Sequence, residues 1–133
     1  MRVDRQYLLW GLVYAIAGMA LGIYMASSAN HIQHVTHAHI LLVGFVLSLI
    51  YAVIHRLWLQ EHSTAVLAKV QFFLHQGGAL LMSVCLFLLY GALVPQAQLD
   101  PFLGIASVAV ITGAILMFWL VLRTSQADMR EAA

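Results

Sequence analysis

The chain has 133 residues, of which 63% are hydrophobic and only 8% are charged, and its formal net charge is +1. Soluble domains typically carry about 25% charged residues, so this composition excludes an ordinary soluble domain and favours a membrane protein. A net charge close to zero also argues against a nucleic-acid-binding protein.

Four apolar runs are each long enough to cross a bilayer, which takes about 20 helical residues. They cover approximately residues 7–26, 36–59, 66–91 and 102–122. Little chain remains outside these runs for a separate domain. We therefore predict an all-α membrane protein in which residues 1–133 form a single bundle of four transmembrane helices.

The basic residues predict how this bundle is oriented. All six lie near the N-terminus, near the loop between the second and third spans, or near the C-terminus: Arg2, Arg5, Arg56, Lys69, Arg123 and Arg130. Because cytoplasmic loops are enriched in Lys and Arg, both termini are predicted to be cytoplasmic. The protein is then a multi-pass protein of the cell inner membrane. Residues 27–35 and 92–101 face the opposite side, which is the periplasm in a Gram-negative bacterium.

The first span carries small residues at intervals of four, three and four positions: Gly11, Ala15, Gly18 and Gly22. These intervals keep the four residues on one face of a helix. Small residues on such a face let a neighbouring helix approach closely. We expect this face to be a packing surface.

Histidines are concentrated around the start of the second span, where four occur within nine residues: His31, His34, His37 and His39. Asn30 and Gln33 have the spacing of a capping box, which predicts a helix start near His31. Neutral imidazole is the commonest side-chain ligand for metals and also binds haem iron. All four histidines are candidate metal ligands, although His31 and His34 also suit a polar, wetted helix start.

His37 and His39 are two residues apart, which corresponds to a rotation of about 200° on a helix. The two rings therefore leave opposite faces and cannot bind one ion together. Helical spacing from His37 selects a polar or small stripe along the whole span: Leu41, Gly44, Ser48, Tyr51 and His55. Lipid would not favour this stripe, so we expect it to face the bundle or a partner subunit.

His75 lies in the third span, followed by Gln76, Gly77 and Gly78. It is about 14 Å from the start of that span, near the middle of the membrane, where an ionisable group is a functional candidate. A turn near residues 61–63 would place His75 level with Leu49, roughly 15 Å from the level of His39. We therefore do not expect both histidines to bind one haem within one chain.

Three roles for His75 stay open. It is a candidate ligand for a separate cofactor or metal. It is also suited to a proton path with Tyr51 and Ser48, or to a hydrogen bond between two spans.

The pattern His37-x-His39, followed by Gly44-Phe45, resembles the His-x-His helix of the haem–copper oxidase superfamily. The similarity is to its nitric-oxide-reductase and high-affinity oxidase branches, and it covers about ten residues. In that family the first histidine binds the high-spin haem and the second binds the low-spin haem. The resemblance implies that His37 and His39 are cofactor ligands. His75 is the next candidate ligand, because it is an ionisable residue within a span. The cofactor that the resemblance implies is haem, and we expect it to be non-covalent haem b because the chain has no Cys-x-x-Cys-His attachment motif.

The resemblance also implies an assembly. Subunit I of that family is similar to three groups of four helices with approximate threefold symmetry, so three copies of this chain would supply twelve helices. A homotrimer is compatible with closed cyclic symmetry. No trio of histidines for a copper centre is visible, and we assign no catalytic residues. We expect electron transfer or gas or redox sensing rather than oxygen reduction.

Two other functions fit the same residues. One is copper or zinc handling at the periplasmic face, through His31, His34 and His37. The other is a structural or assembly subunit whose histidines are hydrogen-bonded within the bundle.

Overall fold

The computed structural model describes residues 1–59 and 65–131, with side chains up to residue 124. Its four long helices are α1 (Val3–Ser28), α2 (His34–Leu57), α3 (Val66–Tyr90) and α4 (Gln96–Glu131). In the described ranges the chain forms no strand. Each helix is long and apolar enough to span a bilayer, which confirms the predicted all-α, multi-pass membrane protein. The predicted turn at residues 61–63 lies outside the described ranges.

The helices alternate in direction, which brings the start of α1 and α3 and the end of α2 and α4 together. A buried cluster from all four helices lies there: Val3, Tyr7, Tyr51, Ala52, Leu59, Ala68, Phe72, Met117 and Leu120. Arg2, Arg56, Lys69 and Arg123 are at this same end, which we call the basic end. That the basic end faces the cytoplasm remains a prediction.

The small residues of α1 form the surface on which α2 packs, as predicted. A Cβ atom added to Gly11 would lie 3.4 Å from the Cβ of Ser48, and one added to Gly18 would overlap the side chain of Leu41. α3 packs mainly against α4, where a Cβ on Gly78 would lie 2.9 Å from the carbonyl oxygen of Ala106. The bundle is thus two close helix pairs joined side by side.

The middle of α2 is a π-helix, Ile40–Val46, between α-helical segments His34–His39 and Leu47–Leu57. The sequence predicted α-helical turns throughout, and its spacing gave no sign of a wider turn. Gly44 lies within the π-helical segment against Tyr14 of α1, and a Cβ on Gly44 would be 2.6 Å from Cγ of that ring. π-helical turns are rare and are frequent at functional sites.

The predicted capping box is wrong. α2 begins at His34, and Gln33 makes no capping hydrogen bond with its side chain. The buried Gln33 amide instead donates from Nε2 to the carbonyl of Phe87 at 3.0 Å, and its Oε1 accepts from Thr36 Oγ1 at 2.6 Å. A buried amide needs hydrogen-bond partners, and these two partners tie the start of α2 to the end of α3.

Candidate functional site

His37 is turned toward α1. Its Nδ1 atom lies 2.9 Å from the carbonyl oxygen of Gly18. A carbonyl can only accept, so Nδ1 carries the proton, and Nε2 of the neutral ring keeps a free electron pair. The ring also lies against Gly22, where an added Cβ would be 2.9 Å from Cε1 of His37. The glycines of α1 therefore make room for this ring and set its tautomer.

His39 has the same tautomer through a different bond. Its Nδ1 atom donates to the carbonyl oxygen of Val35, one turn earlier in α2, at 2.9 Å. Both His37 and His39 are half-buried. The ring hydrogen bonds of His37 and His39 in the described part of the chain use Nδ1 only, and neither Nε2 atom is fully enclosed, unlike Nδ1 of His55 and both ring nitrogens of His75. In the described part of the chain, both Nε2 atoms are thus free of protein partners and reachable from outside one chain.

His31 and His34 lie at the exposed end of the same helix. His34 donates from Nδ1 to the carbonyl oxygen of His31 at 3.0 Å. No three His, Cys, Asp or Glu side chains come together as a metal-binding group among the described side chains of residues 1–59 and 65–124. The structure therefore does not gather His31, His34 and His37 into one three-ligand site within a single chain.

His75 is fully buried in the centre of the bundle. Its ring packs edge-on against Tyr51, with 4.9 Å between the ring centroids, and a Cβ on Gly113 would lie 3.3 Å from its backbone. Tyr51 is twelve residues beyond His39, or about 18 Å along a helix, so His75 lies far from the level of His39. His75 thus lies close to the predicted level of Leu49 along the bundle, beside Ser48 and Tyr51, and one chain does not bring these two histidines together.

A central polar cluster surrounds His75, and Gln71 is its hub. The Oε1 atom of Gln71 accepts a 2.7 Å bond from the Tyr7 hydroxyl and lies 3.5 Å from Nε2 of His55. Its Nε2 atom donates to the carbonyl oxygen of Gly113 at 3.2 Å. This one amide connects all four helices, because its partners lie in α1, α2 and α4.

The next turn of α3 adds a second group of bonds to the cluster. Gln76 donates from Nε2 to the hydroxyl of Ser48 at 2.8 Å, and the Tyr14 hydroxyl donates to the Gln76 carbonyl at 3.4 Å. Several enclosed polar atoms nearby have no partner in the described chain, namely Nδ1 of His55, both ring nitrogens of His75, and Oε1 of Gln76. Polar atoms buried in this way are unusual, and each calls for an explanation such as a bound water, an ion or a catalytic role.

Sequence reasoning found part of this cluster. The predicted stripe of α2 is confirmed, since Gly44, Ser48, Tyr51 and His55 are all buried. The roles of Tyr7, Tyr14, Gln71 and Gln76 were missed. A signal existed in α3, because Gln71 lies four residues before His75 and therefore shares its helix face.

Comparison of the chain with protein-family models, with curated proteins and with solved structures finds no match. The function must therefore be argued from the side chains. They offer two half-buried imidazoles with free Nε2 atoms near one end of α2, and a buried polar cluster in the middle of the bundle.

Proposed function

We propose that the protein is a b-type haem-binding integral membrane protein that transfers electrons or senses gas or redox state. His37 and His39 are the residues that would hold the haem iron in this proposal. The observation that carries it is the shared tautomer of the two rings, in which Nδ1 donates to a backbone carbonyl and Nε2 is free. Histidines that bind metals usually donate their other ring nitrogen in this way, which fixes the ring and raises its basicity.

The surroundings of the two rings also fit haem. Both are half-buried near one end of a membrane-spanning helix, so an apolar macrocycle bound to either ring would lie mostly among apolar groups. Bound haem supplies a one-electron couple whose potential depends on the axial ligands and on burial. The contribution of the chain is to orient the two imidazoles, through the Gly18 carbonyl for His37 and the Val35 carbonyl for His39.

In this proposal, other copies of the chain complete the binding site. His37 and His39 point to opposite sides of α2, so they serve two different irons. His75 does not reach either of them in the same chain. We therefore propose that a further axial ligand comes from another subunit and that the assembly is a homotrimer, in keeping with the resemblance to a twelve-helix oxidase subunit.

The test is purification from membranes of cells supplied with haem. We expect a red protein with a Soret band, sharp bands after reduction, and the mass of a trimer in nanodiscs. A colourless protein that takes up copper or zinc would favour metal handling through His31, His34 and His37. A colourless protein without metal would favour a structural subunit. A monomer or dimer in nanodiscs would overturn the trimer.

The central polar cluster supports a second role, proton transfer, for which His75 is the candidate. Its two ring nitrogens are buried without partners beside Tyr51, and the Tyr7–Gln71–His55 bonds continue toward the basic end. Ionisable residues within membrane spans often form proton relays. The test is the pH inside dye-loaded vesicles after a membrane potential is imposed. With a potential that is negative inside, we expect the interior of vesicles that contain the native chain to acidify, and the interior of vesicles that contain His75→Leu to acidify much more slowly. Equal rates of acidification would reject the role.

A further inference from the structure

The basic end carries a groove between α1 and α2 that none of the proposed functions uses. Its volume is about 490 Å³, and it is open toward the outside of the bundle. Its apolar walls are formed by Leu8 of α1 and by Leu49, Val53 and Leu57 of α2, which are 38% to 60% exposed. The groove extends from Leu57, at the basic end, to Leu49, which is roughly 12 Å along the helix toward the middle of the span.

Charged side chains line the outer end of the same groove. Arg5 and Arg56 lie there with Asp4. The two oxygens of Asp4 are already occupied, one by Arg2 at 3.4 Å and the other by Arg56 at 3.7 Å. Two arginines therefore pair with one carboxylate while Arg5 also lines the groove, so the described charged side chains leave excess positive charge beside an apolar slot.

We propose that this groove binds an anionic diacyl phospholipid. Its phosphate lies between Arg5 and Arg56, and one acyl chain follows Leu8, Leu49 and Val53. Arginine matches phosphate well because its N–H groups form a planar fork that binds two oxygens at once. Basic pockets between transmembrane helices are suited to anionic headgroups.

The charge balance selects the class of lipid. A zwitterionic lipid brings an ammonium group with its phosphate, and among the described residues the one acidic side chain that lines the groove, Asp4, is already paired with two arginines. An anionic headgroup brings no such group and matches the excess positive charge. Free inorganic phosphate could bind the two arginines, but it has no acyl chain that would cover the apolar walls of the groove.

The experiment is native mass spectrometry of the purified full chain after addition of phosphatidylglycerol or phosphatidylcholine of the same acyl composition. We expect one phosphatidylglycerol per chain to be retained in preference to phosphatidylcholine. The double variant R5Q/R56Q should reduce this retention by about fivefold for each arginine, or roughly 25-fold in all. Val53→Trp, which fills the slot, should also reduce it.

Matched variants separate this site from general charge and hydrophobicity. K69Q/R123Q removes two positive charges from the same end of the bundle, and Val84→Trp adds the same bulk on an exposed face of α3. Both should retain phosphatidylglycerol as the native chain does. Equal retention of the two lipids, an equal loss in K69Q/R123Q, or saturation by inorganic phosphate would overturn the proposal. The proposal would also be overturned if R5Q/R56Q changed the number of protein chains per complex in the mass spectrum but left lipid retention unchanged. The result is independent of haem.

Discussion

The ring of His37 donates a 2.9 Å hydrogen bond to the carbonyl oxygen of Gly18, across the contact between α1 and α2. The bond is possible because Gly18 and Gly22 carry no side chain between the two helices. Helix packing and the proposed cofactor ligand are therefore coupled. A substitution in the small-residue face of α1 should therefore displace the ring of His37 while leaving the histidine itself unchanged.

The two proposed axial ligands should have separate spectroscopic effects. In haem-loaded protein, His37→Ala and His39→Ala should each remove or reduce one set of absorption bands, because the two rings leave opposite faces of α2. Absorption and electron paramagnetic resonance spectra of the two variants should differ from each other. His34→Ala, at an exposed position, is the control and should keep the native spectrum. Native spectra in both test variants would contradict the ligand assignment.

Gly22→Ala should displace the ring of His37. The new Cβ atom would lie 2.9 Å from Cε1 of His37, closer than real Cβ contacts, so the ring or the helix must shift. Loss of an orienting contact of this kind typically costs about 10- to 100-fold in metal affinity. Haem titration measures this loss. Gly104→Ala is the control, because an added Cβ there meets nothing within 4 Å. Equal affinities in the two variants would argue against the role of Gly22.

The hydrogen bond between Tyr7 and Gln71 should contribute measurably to stability. A double-mutant cycle with Tyr7→Phe and Gln71→Leu isolates it, with unfolding followed in mixtures of mild detergent and SDS. We expect a coupling energy of about 0.6 to 1.7 kcal/mol, the range found for hydrogen bonds between transmembrane helices. Tyr24→Phe, at an exposed position, paired with Gln71→Leu should give no coupling. A coupling energy near zero for Tyr7 would show that the bond does not stabilise the bundle.

His75→Leu should keep the fold. Neither ring nitrogen has a partner at good hydrogen-bonding geometry in the described chain, so an apolar side chain of similar size loses at most a weak contact with the backbone of Val43. Replacing such a polar group is often nearly neutral, within about 1 kcal/mol. The free energy of unfolding and the helical circular dichroism should therefore be close to native, while any proton transfer is lost. A destabilisation of about 3 kcal/mol or more, as for a broken buried pair, would mean that His75 is a structural residue.

Gly44→Ala should destabilise the bundle. Its Cβ would lie 2.6 Å from the ring of Tyr14, and overpacking of this kind costs about 1–3 kcal/mol. The midpoint of detergent-induced unfolding measures the effect. Gly77→Ala is the control, because an added Cβ there meets nothing within 4 Å, and Ala is the better helix former by about 1 kcal/mol. A Gly44→Ala variant as stable as Gly77→Ala would contradict the close approach of Tyr14.

Several features of this protein follow from its sequence alone. The four spans follow from the length of the apolar runs, because crossing a bilayer requires about 20 apolar residues whatever the helix packs against. The buried stripe of α2, from Gly44 to His55, follows from helical spacing, since lipid disfavours polar side chains on any helix. The level of His75 beside the middle of α2 likewise follows from the helical rise and the order of the spans.

Other features are decided only by the tertiary structure. The hydroxyl of Tyr7 finds its acceptor on Gln71, 64 residues away along the chain, and the carbonyl of Gly18 sets the tautomer of His37. The π-helical segment and the groove beside Arg56 depend in the same way on how α1 and α2 meet. Periodicity describes one helix at a time. Hydrogen-bond partners, tautomers and grooves depend on the relative positions of two helices, which that local pattern does not contain.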